Sequence, residues 1–275
     1  MNNSFVNTNW IIEVDITHRC NLACHYCNRL CNAEKIYNTN RLHTDMGKSH
    51  IDFLCQQIKL YPRGKVYMLR VLGGEPLLSP ILEYCIHTFE EMKEQGYIQE
   101  ICLVSNGTID CPLYASKYIK YYPQPIKEMV HNKGKLQKED VYKIKEKKHI
   151  NITITPLDYD KKVKKICERY IGCGIHYSVY GFCLTAPCFP SMFVFPRNHK
   201  RFKWELPESI DAFLDEDFTE DVCSVCYYAL NHQTAPKLST NNVGFVGHSW
   251  QKQIASNIDS FTEPDTNWII QTQNE

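Results

Sequence analysis

Three cysteines near the start, Cys20, Cys24 and Cys27, constrain this chain more than any other feature. They lie in the stretch ITHRCNLACHYCNRL, Ile16 to Leu30. Thiolates spaced C-x3-C-x2-C can hold three irons of a four-iron, four-sulfur cluster. The fourth iron is then left without a protein ligand and is open to a small molecule. Soft thiolate ligands suit iron–sulfur clusters or zinc. Spacing alone does not choose between them, because His18, His25 or Cys31 could complete a four-coordinate zinc site.

Two further short motifs follow in order. GGEP, Gly73 to Pro76, closes the apolar run VYMLRVL, and SNG, Ser105 to Gly107, closes ICLV. Each is weak alone. The cysteine loop, GGEP and SNG in sequence, each at the end of a predicted strand, resemble the signature of the radical SAM enzymes. The resemblance selects an iron–sulfur cluster over zinc. It implies a partial (β/α)5-6 TIM-like barrel, an α/β fold with its active site at the carboxyl ends of the strands.

The periodicity agrees with such a fold. Ile11 to Ile16, Lys65 to Leu72, Ile101 to Val104, Ile126 to Val130 and Asn151 to Thr155 read as strands. Ser49 to Tyr61, Pro80 to Gln95, Ile109 to Lys120 and Leu136 to Lys147 read as helices, two of them closed by Gly64 and Gly96. Alternating βα units argue for a parallel sheet. The alternation stops near residue 160, where cysteines become dense. We therefore expect three regions: 1–160 as the barrel, 161–235 as a cysteine-rich domain, and 236–275 as a tail that could pack back on the barrel.

With 275 residues, 43% of them hydrophobic, the chain can bury a substantial core. Its 31 basic and 31 acidic residues leave no net charge, which argues against a nucleic-acid partner. No apolar run is long enough for a membrane span, and MNNSFVNTNW lacks the features of a signal peptide. Fourteen cysteines in local groups, without an export signal, fit cluster ligation in a reducing cytoplasm.

The resemblance assigns roles residue by residue. Cys20, Cys24 and Cys27 would hold a [4Fe-4S] cluster whose open iron binds S-adenosylmethionine. Reductive cleavage then yields a 5′-deoxyadenosyl radical that takes a substrate hydrogen atom. A flavodoxin- or ferredoxin-like protein would supply the electron. Tyr26 matches an aromatic near the adenine. Gly73 and Gly74 would let the backbone approach the methionyl amine, with Glu75 steadying that edge and Pro76 fixing the turn. Ser105 and Asn106 would reach the ribose or carboxylate. Arg70, inside an apolar strand, reads as a structural ion pair.

A second cluster is expected from the later cysteines. The stretch CGIHYSVYGFCLTAPC, Cys173 to Cys188, reads as a hairpin turning at Gly181. Cys173 and Cys188 bracket it, and Cys223-x2-Cys226 returns 35 residues later. These four, with Cys167 and Cys183 as reserves, resemble the twitch domain, a shortened relative of SPASM domains with one auxiliary [4Fe-4S] cluster. A zinc knuckle is the structural alternative. A fully ligated auxiliary cluster would accept electrons, which implies oxidation of a small polar alcohol, sugar- or cyclitol-like. Asp158, His176, Tyr177 and Arg197 are the candidate catalytic residues. The alternatives are a peptide-modifying radical SAM maturase and a non-catalytic metal-binding scaffold. Only about ten residues precede the first strand, which weighs against a fused peptide-recognition module.

Overall fold

A computed structural model describes residues 10–21, 45–121, 175–184, 196, 198–210, 212 and 256–257. Its centre is a mixed sheet of seven strands. These are β1 (Trp10–Asp15), β2 (Val66–Leu72), β3 (Ile98–Ser105), β4 (Ile119–Tyr121), β5 (Ile175–Ser178), β6 (Gly181–Leu184) and β7 (Phe202–Lys203), in the order β4-β3-β2-β1-β5-β6-β7. The run β4-β3-β2-β1-β5 is parallel throughout, and β6 and β7 add antiparallel. Helices α1 (Lys48–Lys59) and α2 (Leu82–Glu94) connect β1 to β2 and β2 to β3, and the short α3 (Leu113–Ser116) precedes β4.

The strands form because their apolar residues alternate. Ile12, Val14, Leu69, Val71, Leu103 and Tyr177 face the helices, where they pack with Ile51, Leu54, Ile58, Ile86 and Phe89 in one core. Successive residues point to opposite faces, so Glu13, Asp15, Arg70, Cys102 and His176 lie on the other face. That face is polar. Gly96, at φ 78°, follows the C-cap of α2 in the left-handed conformation that ends helices, whereas α1 stops at Lys59 and Gly64, at φ 75°, sits in the Pro62–Lys65 turn that leads into β2. Residues beyond the hairpin also dock on α1, with the Leu206 amide donating to Gln57 Oε1 at 2.9 Å.

One expectation changes. Ile109 to Lys120 is not one helix: only Leu113–Ser116 is helical, and Ile119–Tyr121 forms β4. Pro112 sets the start of that single turn, and Ile119–Tyr121 pairs in register with Leu103–Ser105. The hairpin turns at Gly181 as expected, at φ 84°, with Ile175 opposite Leu184. Its first strand also lies alongside β1, with Ile12 opposite Ile175, Glu13 opposite His176 and Val14 opposite Tyr177. Among the described residues, no helix is long and apolar enough to cross a membrane. The strands expected at 126–130 and 151–155, the helix at 136–147 and nearly all of the tail lie outside the described residues.

Candidate functional site

The site is built where β1, β2 and β3 end. The β1–β2 pairing continues past both strands: the Ile16 amide donates to Leu72 O at 3.1 Å, Gly74 to Thr17 O at 2.8 Å and Glu75 to Arg19 O at 2.7 Å. GGEP thus lies directly against the chain that leads into the first cysteine. A Cβ on Gly73, whose φ is 154°, would stand 2.2 Å from Thr17 O. One on Gly74 would stand 2.2 Å from Arg19 O and 2.9 Å from Cys20 Cβ. Both glycines are therefore required by the protein's own backbone.

Glu75 ties the second motif to the third. Its carboxylate is buried. One oxygen accepts from Ser105 Oγ at 2.9 Å and Leu77 N at 3.1 Å, and the other from Asn106 N at 2.7 Å. Burial pushes its pKa up and these donors oppose that rise, with burial the larger effect. Pro76, also buried, opens the short 3-10 turn Pro76–Leu78.

Asn106 closes the arrangement. Its Nδ2 donates to Asn21 Oδ1 at 3.0 Å and lies 3.8 Å from Cys20 Sγ, while its Oδ1 accepts from Thr108 Oγ1 at 2.6 Å and Thr108 N at 3.0 Å. Asn21 Nδ2 donates in turn to Thr108 Oγ1 at 2.7 Å. Cys20, GGEP and SNG, with 53 positions between Cys20 and Gly73 alone, meet here through hydrogen bonds.

The ends of the cysteine loop are pinned together. Met46 N donates to Ile16 O at 3.0 Å. Arg19 pairs with Asp45 at 2.9 Å and donates to Leu78 O at 2.7 Å. Cys20 is half-buried at this rim. Cys24, Tyr26 and Cys27 lie outside the described residues, as do Cys173, Cys188, Cys223, Cys226, Cys167, Asp158 and Arg197. Among the described residues no group of three side chains could hold a metal ion.

His176 and Tyr177 are described, and they point to opposite faces. Tyr177 lies on the helix side, fully buried, and its hydroxyl donates to His50 O at 2.9 Å. His176 lies on the polar face, also fully buried, in ion-pair contact with Asp15 through Nε2 and 4.0 Å from Glu13 Oε2 through Nδ1. Glu13 pairs with Arg70 at 2.8 Å, the ion pair expected of that arginine. Sequence reasoning missed Glu13 and Asp15. The signal was present: two acids at spacing two in an otherwise apolar strand mark one polar face. It also missed Thr17, Arg19, Asn21 and Thr108, whose roles rest on partners distant in sequence.

Of the other described thiols, Cys111 is half-buried and near enough to Glu75 to feel its charge, whereas three are set apart in the core. Cys55, Cys85 and Cys102 are buried. Burial pushes Cys55 up to about 12 and Cys85 well above its ordinary value, so neither is poised to ionise. Cys183 is buried opposite His176 in the hairpin.

The chain is similar over part of its length to curated proteins described as GTP 3′,8-cyclase. Identity is 30% over 98 residues with the protein of Clostridium perfringens strain 13, covering 36% of this chain and 27% of the relative. It is 31% over 97 residues with that of Aquifex aeolicus, covering 35% and 28%. The similarity thus spans little more than a quarter of those proteins. No family model matches the chain. An α/β fold, the convergence of the three motifs and this partial similarity together support the broad assignment to the radical SAM superfamily and nothing finer.

Proposed function

We propose that this chain is a radical SAM enzyme acting on a small polar substrate. The observation that carries the proposal is the meeting of Cys20, Gly73–Pro76 and Ser105–Asn106 at the carboxyl ends of adjacent parallel strands. Ligands of open α/β sheets bind outside those ends. The residues present suit an iron–sulfur ligand loop: a half-buried thiol, an amide N–H directed at its sulfur, and a loop clasped at both ends. Hydrogen bonds to ligand sulfurs tune such centres.

In this reading Cys20, Cys24 and Cys27 hold a [4Fe-4S] cluster, and Tyr26 and the GGEP and SNG segments hold S-adenosylmethionine. When bound, the cluster and S-adenosylmethionine supply one-electron chemistry that removes a hydrogen atom from the substrate. The protein's part is positional. Glu75 holds the second and third strand ends in register, and Asn106 holds the third against the cysteine loop. The sheet curls as a partial (β/α)5-6 barrel. Cys173, Cys188, Cys223 and Cys226 hold an auxiliary [4Fe-4S] cluster in a twitch-like domain that accepts an electron. The substrate is then an alcohol oxidised at its carbinol carbon, and a flavodoxin- or ferredoxin-like protein is the reductant.

Anaerobic reconstitution tests this reading. About eight irons per chain are expected from two cubane clusters, with 5′-deoxyadenosine formed on reduction in the presence of S-adenosylmethionine. A Cys20→Ala/Cys24→Ala/Cys27→Ala variant should keep about half the iron and form none. Cleavage at the normal rate by that variant refutes the ligand assignment. Zinc in place of the retained iron refutes the redox role of the second site. Turnover of GTP, the substrate in the relatives' name, or of a peptide would replace the alcohol as substrate.

A further inference from the structure

The polar face of the sheet carries a row of side chains that the cofactor reading does not use. In register across five strands stand Cys102, Arg70, Glu13, His176 and Cys183. Asp15 lies one step nearer the carboxyl ends and touches His176. The helix side of the same strands is filled by apolar pairs such as Ile12 with Ile175 and Val14 with Tyr177. A buried ion pair contributes little to stability over well-packed apolar residues of similar volume. The charged row therefore calls for a use other than holding the sheet together.

The row is open at one place. Asp15 and His176 are fully buried, whereas the side chains of Glu13 and Arg70 are 15% and 31% exposed. Among the described residues, Arg70 donates to Glu13 at 2.8 Å, reaches Met68 Sδ through Nη2 at 4.0 Å and hydrogen-bonds the Cys102 thiol beside it. A guanidinium has five N–H donors in a fixed fork, and with the side chain 31% exposed part of that capacity is open to solvent. Beside it stands a carboxylate that only accepts. A donor fork next to an acceptor pair matches adjacent hydroxyls, or a hydroxyl beside an amine.

Charge narrows the ligand further. Around this row, Glu13, Asp15 and Glu100 are set against Arg70 and Lys120 on the described part of the face. With His176 in either protonation form there is no positive surplus. A triphosphate or other polyanion needs one, because its charges must be matched by cationic donors.

We infer that Glu13 and Arg70 form a substrate subsite for a vicinal diol or amino alcohol without net negative charge, with His176 and Asp15 as positioning residues behind Glu13. The inference deepens the proposed alcohol-oxidising function and rests on it for the reaction, though not for the binding. The test is equilibrium dialysis of labelled glucosamine, myo-inositol and GTP against the reconstituted full chain with S-adenosylmethionine. Saturable binding of glucosamine or myo-inositol is expected, weakened at least tenfold in Glu13→Gln and in Arg70→Gln. Removing one partner leaves the other charge unpaired, so Glu13→Gln/Arg70→Gln is made as well. It should keep the wild-type circular dichroism spectrum and urea midpoint and still fail to bind. Binding unchanged in a folded variant, no binding of either polyol by the wild type, or GTP binding that depends on Arg70 overturns the inference. Formation of 5′-deoxyadenosine by the same preparation is scored separately. Its absence counts against the cofactor reading and leaves the dialysis result standing.

Discussion

Replacing Gly74 by alanine tests the contact on which the site is built. Backbone strain does not enter here; the argument is one of space. The new Cβ would lie 2.2 Å from Arg19 O, 2.6 Å from Arg19 C and 2.9 Å from Cys20 Cβ. Two of those atoms are backbone and cannot rotate away. To reach an ordinary contact distance the two segments must part by roughly 1 Å. The bonds that join them, Gly74 N to Thr17 O at 2.8 Å and Glu75 N to Arg19 O at 2.7 Å, would then exceed hydrogen-bonding length. Each lost bond costs about 1 kcal/mol, and leaving the groups unsatisfied adds about 1–3 kcal/mol. The expected loss is roughly 3–5 kcal/mol, a large share of the typical stability of a domain. Cys20 moves with the segment, so iron loading should fall as well. Urea unfolding of the metal-free protein gives the first quantity, and iron content after reconstitution the second. Gly96→Ala is the control. Its φ is 78°, but its nearest neighbour is Arg63 Cδ at 3.9 Å. It should cost roughly 1–2 kcal/mol from backbone strain and leave iron unchanged. A Gly74→Ala protein within 0.5 kcal/mol of wild type, as judged against that scale, and fully loaded with iron refutes the steric argument.

Two other perturbations follow from the same geometry. Asn106→Ala removes the donor beside Cys20 Sγ and the links to Asn21 and Thr108, so the reconstituted cluster should bleach faster in air, with roughly 1–2 kcal/mol lost in stability; an unchanged bleaching rate would mean that Asn106 does not support the cysteine loop. His50 is buried, its Nδ1 accepts from Gly47 N at 3.1 Å, and burial lowers its pKa below the ordinary 6.5. The unfolded chain then takes up the proton first, so stability is full above pH 6.5 and falls as pH drops through the folded value. Metal-free wild type should lose up to about 1.4 kcal/mol per pH unit more than His50→Gln in that range; parallel curves for the two proteins would show that His50 does not carry the dependence.

Much of this architecture is written in the order of residues. Period-two alternation marks β1 and β2, helical spacing marks α1 and α2, and Gly96 bounds α2, because those patterns express local geometry. The three motifs announce themselves for the same reason: tight turns at strand ends demand glycine, proline and short polar residues. Tertiary structure decides what those residues touch. The need for Gly73 and Gly74 comes from Thr17 and Arg19, more than fifty residues earlier, and no local pattern encodes that approach. The segment at 109–120 divides into α3 and β4 because the edge of β3 offers Ile119–Tyr121 a ladder, which outweighs helix propensity. Cross-strand partners are likewise non-local. The pairing of β5 with β1 brings His176 to Asp15 and Glu13 across more than 160 residues of chain. Charge and alternation in the sequence could mark each of these residues as polar and inward. Only the assembly of the sheet, which places partners by hydrogen-bond register rather than by distance along the chain, brings them side by side.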